Sequence, residues 1–221
     1  MAENTALIQV LGAIAYGELK AYDGAKADAD SATTEEARRW HRQVAAEELR
    51  HHKGFVKRLE ALGADPDRAM APFRGPLDRY HARVIDDPIE DAVFSYLGEG
   101  IADDLLQWLQ KVVDPDTAAF VDTVIADEVG HEAAATKALR DLLDSTPNGR
   151  ARAARAARTM HAHMLWSGRQ GAAPLAAFAR LGRTPELLRV IIGGQARRLR
   201  AIGIRLWLPM PDRIGPLKLA G

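Results

Sequence analysis

The chain contains no cysteine. That absence excludes disulfides, iron–sulfur clusters and rubredoxin-type iron sites within it. It also lacks any run of about 18 apolar residues, so no helix long and apolar enough to span a membrane is expected. No segment shows the two-residue alternation of a half-buried strand, which removes sheet folds from consideration. The opening Met1-Ala2-Glu3-Asn4-Thr5 is acidic rather than basic and carries no cleavage signal, which predicts no secretory leader and a cytoplasmic location. What remains is ordinary for a globular chain: 221 residues, 47% apolar and 27% charged, enough for one substantial core with an appendage.

Net charge is zero, but its distribution is not even. Residues 1–149 carry 16 Lys+Arg against 28 Asp+Glu, whereas residues 150–221 carry 14 against 2. Two readings follow. A basic C-terminal layer can dock on an acidic bundle, or it can meet an external polyanion such as RNA, with Arg197-Arg198-Leu199-Arg200 and Arg205-Leu206-Trp207 supplying cations beside an aromatic.

Helix boundaries are legible from capping residues. A first helix is predicted over about 4–29. A second opens at Thr33, with Glu36 as its capping-box partner, and closes near Gly63. Asp65-Pro66, Asp87-Pro88, Asp114-Pro115 and Thr184-Pro185 each place a capping side chain before a proline at the first helical position. They predict a short helix after residue 65, long helices over 88–112 and 116–144, and another over 185–206. The alanine- and arginine-rich stretch 149–170 is predicted helical as well. Tight links join helices one and two and helices three and four, while some 24 residues, Ala64 to Asp87, separate the two pairs. Two antiparallel hairpins joined by one long crossover make an all-α, ferritin-like four-helix bundle. The expected organisation is a bundle over 1–147 and a basic helical C-terminal extension over 148–221 packing on it.

Two Glu-x-x-His pairs sit in the middle of the second and fourth long helices: Glu48-Leu49-Arg50-His51 and Glu128-Val129-Gly130-His131. Residues three apart share one helix face, so each pair can offer a carboxylate and an imidazole to one metal. The first and third long helices each carry a lone acid among apolar neighbours, Glu18 and Glu99. One Glu-x-x-His from each of two helices and one Glu from each of two others form the ligand set of a di-iron or di-manganese carboxylate bundle. We therefore expect Glu18, Glu48 and His51 chiefly at one metal and Glu99, Glu128 and His131 at the other, with Glu48 and Glu128 bridging. The pair is expected as Fe/Fe, with Mn/Fe or Mn/Mn as alternatives. Glu47, His52 and Glu132 lie about 100° around their helices from these residues and are expected at the rim. Asp127 and Asp103 are placed to accept the second ring N–H of a ligating histidine, with an ion pair as the equal alternative for Asp103. Tyr16, Tyr22 and Tyr96 are open to two roles, packing or hydrogen bonding to ligand carboxylates. Gly17, Gly98, Gly100 and Gly130, beside candidate ligands in mid-helix, suggest room for a second helix, dioxygen or substrate. His81, His161 and His163 form no second metal motif.

Several segments carry a family resemblance: Leu11-Gly12 through Ala15-Tyr16-Gly17-Glu18-Leu19, Ala46-Glu47-Glu48-Leu49-Arg50-His51, Met70-Ala71-Pro72-Phe73 with Pro76-Leu77-Asp78, Gly98-Glu99-Gly100-Ile101-Ala102, and Ala126-Asp127-Glu128-Val129-Gly130-His131. Over roughly residues 8–145 the chain resembles the ferritin-like di-iron proteins related to the hydroxylase of 2-methylthio-isopentenyladenosine in tRNA, in the shorter form common in actinobacteria. His51-His52-Lys53-Gly54-Phe55 is also similar to the aldehyde-deformylating di-iron oxygenases. The resemblance implies an oxygen-activating di-iron centre carried by Glu18, Glu48, His51, Glu99, Glu128 and His131. The expected function is a non-haem di-iron oxidase or monooxygenase acting on an organic substrate, tRNA in one version, with a separate electron donor such as ferredoxin. A homodimer is among the expected assemblies. The alternative is a ferroxidase or peroxidase of the ferritin–rubrerythrin type, in iron handling or peroxide defence.

Overall fold

Four caps set the frame. Asp65, Asp87 and Asp114 each accept backbone N–H bonds at the start of their helices and precede a proline, as the sequence predicts. The fourth cap is shifted by one residue: Thr34, not Thr33, accepts from the Ala37 backbone N–H at 3.1 Å. The computed structural model describes residues 2–82, 85–170 and 178–205, with side chains described for 4–82, 85–162 and 178–205. Trp207 and the His163 side chain fall outside those residues.

The helices are α1 (Ala2–Ser31), α2 (Glu35–Ala61), α3 (Pro66–His81), α4 (Pro88–Leu109), α5 (Pro115–Ser145), α6 (Gly149–Gln170) and α7 (Thr184–Ala201). Among the described residues there is no strand. The architecture is therefore an all-α, ferritin-like bundle: α1–α2 and α4–α5 are the two hairpins, and α3 lies in the crossover. Two expectations need correction. The crossover holds a 16-residue helix that runs through Pro72 and Pro76, longer than the short helix predicted. Each proline removes a backbone donor, and tertiary packing offsets this: Ala69, Met70 and Phe73 are buried, and α1 has Gly12 where a β-carbon would strike the Ala69 carbonyl. At α7, Thr184 does not cap. The residue before it, Arg183, adopts a left-handed conformation (φ 55°) without a side-chain cap bond.

Apolar burial is split in two. One core joins Val10, Leu11 and Tyr16 of α1, Phe55 and Leu59 of α2, Ala69 and Met70 of α3, Leu106, Trp108 and Leu109 at the end of α4, and Val121 and Val124 near the start of α5. Leu187, in the first turn of α7, closes one side of it. The other core joins Ile89, Val93 and Leu97 at the start of α4 and Leu139 and Leu143 at the end of α5 to α6 and the end of α7, through Ala153, Ala157, Met160, Leu199 and Ile202. Thus α6 and α7 take the apolar face of the outer half of α4, a place α1 and α2 leave uncovered. Many C-terminal cations pair with bundle acids: Arg152 with Asp87 at 2.6 Å, Arg150 with Asp144 at 2.5 Å, and Arg198 with Asp104 at 2.8 Å. The docking reading of the basic segment thereby has direct contacts behind it.

Candidate metal centre

Between the two cores lies a layer of acids and imidazoles. It exists because α1, α2 and α5 each turn an otherwise apolar face inward and interrupt it at one level. Glu18, Glu48 and His51 are buried. Their ligand atoms, with that of Glu128, all lie within 4.8 Å of one another. His51 Nδ1 sits 3.4 Å from Glu18 Oε2, 3.6 Å from Glu48 Oε2 and 3.5 Å from Glu128 Oε1. His131 Nδ1 sits 3.2 Å from Glu128 Oε2 and 3.4 Å from Glu48 Oε1. Glu48 and Glu128 each turn one oxygen toward each histidine, the disposition of bridging carboxylates. Glu18 stands on the His51 side only.

Glu99 is not in this group. Its side chain is exposed on α4, one turn before Asp103, and its charge helps raise the Asp103 carboxyl. Asp103 and Glu128 line one cleft between α4 and α5, with Leu106, Gln107, Ile125, Val129 and Glu132. The cleft has a volume of about 20 Å³, room for one water-sized molecule.

Each histidine is held from behind by the opposite hairpin. His51 Nε2 lies 2.9 Å from Asp127 Oδ2, and His131 Nε2 lies 2.8 Å from Glu47 Oε2. The residue before Glu48 and the residue before Glu128 thus each orient the histidine of the other helix, leaving both Nδ1 atoms to face the carboxylates. Asp127 plays its expected part. Glu47 does not sit at the rim; α5 crosses over it and uses it. Asp103 does not take the expected place behind a histidine and pairs instead with Arg198 at 3.2 Å, as does Glu132 at 3.0 Å. His52 donates from Nδ1 to the Ala15 carbonyl at 2.7 Å, away from the carboxylates. Tyr16 donates to Asp78 at 2.7 Å and Tyr96 bonds Thr136 at 2.8 Å, so neither hydroxyl is spent on the carboxylate layer. Of the four glycines, Gly98 makes room for Tyr80 and Gly100 for Arg198, while a β-carbon at Gly17 or Gly130 would meet nothing within 4 Å.

Proton affinities report the electrostatics of this layer. Burial pushes the Glu18 carboxyl well above the usual range, with Glu48 reinforcing and His51 opposing. Burial would also raise Glu48, but contacts from His131, His51 and Glu18 hold it down at about 2. Burial would depress both imidazoles. Glu18, Glu48 and Asp127 instead raise His51 to about 10, and Glu128, Glu48 and Glu47 raise His131 to about 11. Burial and the Glu128 charge lift Asp103 to about 8 against the pull of Arg198. Protons on two imidazoles and on Glu18 thus balance the carboxylates of the layer, and a divalent ion bound there would displace them.

The donor set fits such ions. His51 Nδ1 is buried without a hydrogen-bond partner, aimed into three carboxylates, and mixed carboxylate–imidazole donors suit iron and manganese. No helix among the described residues is long and apolar enough to cross a membrane. No curated protein matches the chain. A family model described as a ferritin-like domain of actinomycetes matches residues 2–181. The order of the helices, the carboxylate–imidazole layer between the hairpins and that match agree: the chain belongs to the ferritin-like domain family of actinomycetes.

Proposed function

We propose that the chain is a non-haem di-iron oxidase or monooxygenase. The observation that carries this reading is the layer of Glu18, Glu48, His51, Glu128 and His131, three of them buried, with His51 Nδ1 left without a hydrogen-bond partner. An iron pair held by these residues would supply the redox chemistry with dioxygen, drawing its electrons from an external donor. The protein's own part is to place the donors. His51 and His131 each present Nδ1, Asp127 and Glu47 fix the ring orientation, and Glu48 and Glu128 offer one oxygen to each side. Glu99, exposed on α4 one turn before Asp103, would have to turn inward to complete the set as the sixth donor. Hydroxylation of a C–H bond consumes one dioxygen, two electrons and two protons and yields one alcohol and one water. The electrons come from a separate donor such as ferredoxin. A tRNA substrate, the version implied by the family resemblance, would be met by the arginines that face outward from α6 and α7, among them Arg155 and Arg158. The proposed location is cytoplasmic.

A second reading has one observation in its favour. The cleft beside Glu128 has room for one water-sized molecule, a scale nearer to dioxygen or peroxide than to an organic substrate, which suits a ferroxidase or peroxidase of the ferritin–rubrerythrin type.

One experiment separates them. Protein purified without oxygen is analysed for metals, reduced, and exposed to dioxygen while its near-ultraviolet absorption is followed, with and without organic candidates. Two irons per chain and dioxygen uptake that rises with an organic substrate support the first reading. Steady turnover on ferrous ion or peroxide alone supports the second. Metal-free protein that takes up no iron refutes both.

A further inference from the structure

One cation enters the bundle from the C-terminal helix. Arg198 of α7 is fully buried. Its Nη1 donates to Asp104 Oδ2 at 2.8 Å, and its Nη2 donates to Asp103 Oδ2 at 3.2 Å and Glu132 Oε2 at 3.0 Å. A buried guanidinium is tolerated when carboxylates surround it, and here they come from two helices, α4 and α5. The approach is built for it. A β-carbon at Gly100 of α4 would collide with the Arg198 guanidinium, and one at Gly194 of α7 would collide with the Asp104 carboxylate. One turn before Arg198 on the same helix, Gln195 donates to the Leu97 carbonyl at 2.9 Å and meets His161 of α6 at 3.0 Å. These contacts fix the register of α7 against α4.

Two of the three acids belong to the surroundings of the carboxylate layer. Asp103 and Glu132 line the same cleft as Glu128. Glu132 follows His131 directly and stands one turn beyond Glu128. Without a cation beside them, both would be free to swing toward a dication in the layer and displace the intended donors.

We propose that Arg198 is a positioning residue for the metal centre: it ties Asp103 and Glu132 into the cleft wall, so that Glu128 and His131 alone present donors from α5. This rests on the metal reading above, and it makes α7 part of the centre rather than an attachment to it.

Cobalt(II) is the probe, because its visible absorption reports coordination and its titration reports number and affinity. Wild-type protein, R198M, R198K, E132Q and the double variant R198K/E132Q are compared, each with far-ultraviolet circular dichroism. The expected result is a folded R198M with an altered cobalt spectrum and a second equivalent bound about tenfold more weakly, the scale of an outer-sphere partner. R198K restores the charge but not the fork, and its spectrum moves part of the way back. A folded R198M with the wild-type spectrum and stoichiometry overturns the proposal and leaves Arg198 as a brace between helices. If R198M loses its helical signal, R198K and the double variant R198K/E132Q decide. A cobalt spectrum shifted in R198K and returned toward wild type when E132Q is added supports the proposal; an unshifted R198K spectrum, or a shift in E132Q alone, which would make Glu132 itself a donor, overturns it. Wild-type protein that takes up no cobalt overturns the metal reading itself, and this proposal with it.

Discussion

Replacing Asp127 by alanine removes the acceptor that holds His51 Nε2 at 2.9 Å. His51 keeps its place in the layer but loses the contact that fixes its ring and raises its basicity toward a metal. Loss of such a partner costs about 10–100-fold in metal affinity, or about 1.4–2.7 kcal/mol. The surroundings of each acid set where in that range its variant falls. Asp127 also receives Arg50 at 2.6 Å and is 28% exposed, so its hold on His51 is shared and partly solvated, and D127A should sit near tenfold. Glu47 is 17% exposed and, among the described residues, shares its carboxylate with the neutral amide of Gln43, at 3.1 Å. E47A should therefore cost more, toward the upper end. D127N, whose amide oxygen can still accept, should fall between wild type and D127A. Because Glu48 and Glu128 face both histidines, the double variant should lose less than the two single losses combined. Competition titrations of manganese(II) or cobalt(II) against a chelator measure each affinity. Wild-type affinity in both D127A and E47A, beside a clear loss in H51A, would refute the claim that each helix orients the histidine of the other.

Three further expectations are open to direct test. E99A should keep one metal per chain and lose the second on dialysis, read by elemental analysis; two tightly held metals in E99A would remove Glu99 from the ligand set. D114A removes the cap of α5, a bond to the Thr117 backbone N–H at 3.1 Å, and the Arg58 contact, and should cost about 1 kcal/mol in urea unfolding. Burial would raise the Asp114 carboxyl, but Thr117 and Arg58 hold it at about 2. Its contribution is therefore present above about pH 4 and lost as pH falls through 2, so the gap between wild type and D114A should close in acid. G12A drives a β-carbon into the Ala69 carbonyl, backbone that cannot rotate away, and should destabilise by about 1–3 kcal/mol in thermal or urea unfolding. An unchanged midpoint would show that α3 shifts freely on α1.

What is legible in the chain is what neighbours along it decide. Asp65, Asp87 and Asp114 lie before prolines, and a proline at the first helical position leaves little choice of boundary. Thr33 and Thr34 are chemically equivalent caps, and only the geometry of the α1–α2 turn selects the second. Pro72 and Pro76 conceal the length of the crossover helix, because burial of Met70 and Phe73 against α1 is a tertiary effect. Glu18, Glu48, His51, Glu128 and His131 converge because spacing on a helix fixes a face. Glu99 shares the right face of α4 by spacing, yet the exposed setting of its side chain depends on how α4 sits between α5, α6 and α7. Glu47 escapes any reasoning confined to one helix. A signal is present all the same: Glu47-Glu48 and Asp127-Glu128 each place an acid directly before the ligand glutamate. Arg198 offers no such signal within an arginine-rich stretch; the small residues Gly100 and Gly194 that admit it are recognisable only once α4 and α7 are seen to cross.

The two apolar cores have a consequence for how the molecule comes apart. They draw on opposite ends of α4, α5 and α7, and those three helices run through both, with the charged layer between them. Cooperative unfolding depends on shared apolar surface, so the metal-free chain has a natural seam along which one half can melt before the other. Ions bound at that seam favour only the state in which both halves are in place. On the di-metal reading proposed above, occupancy would decide whether the chain unfolds as two bodies or as one.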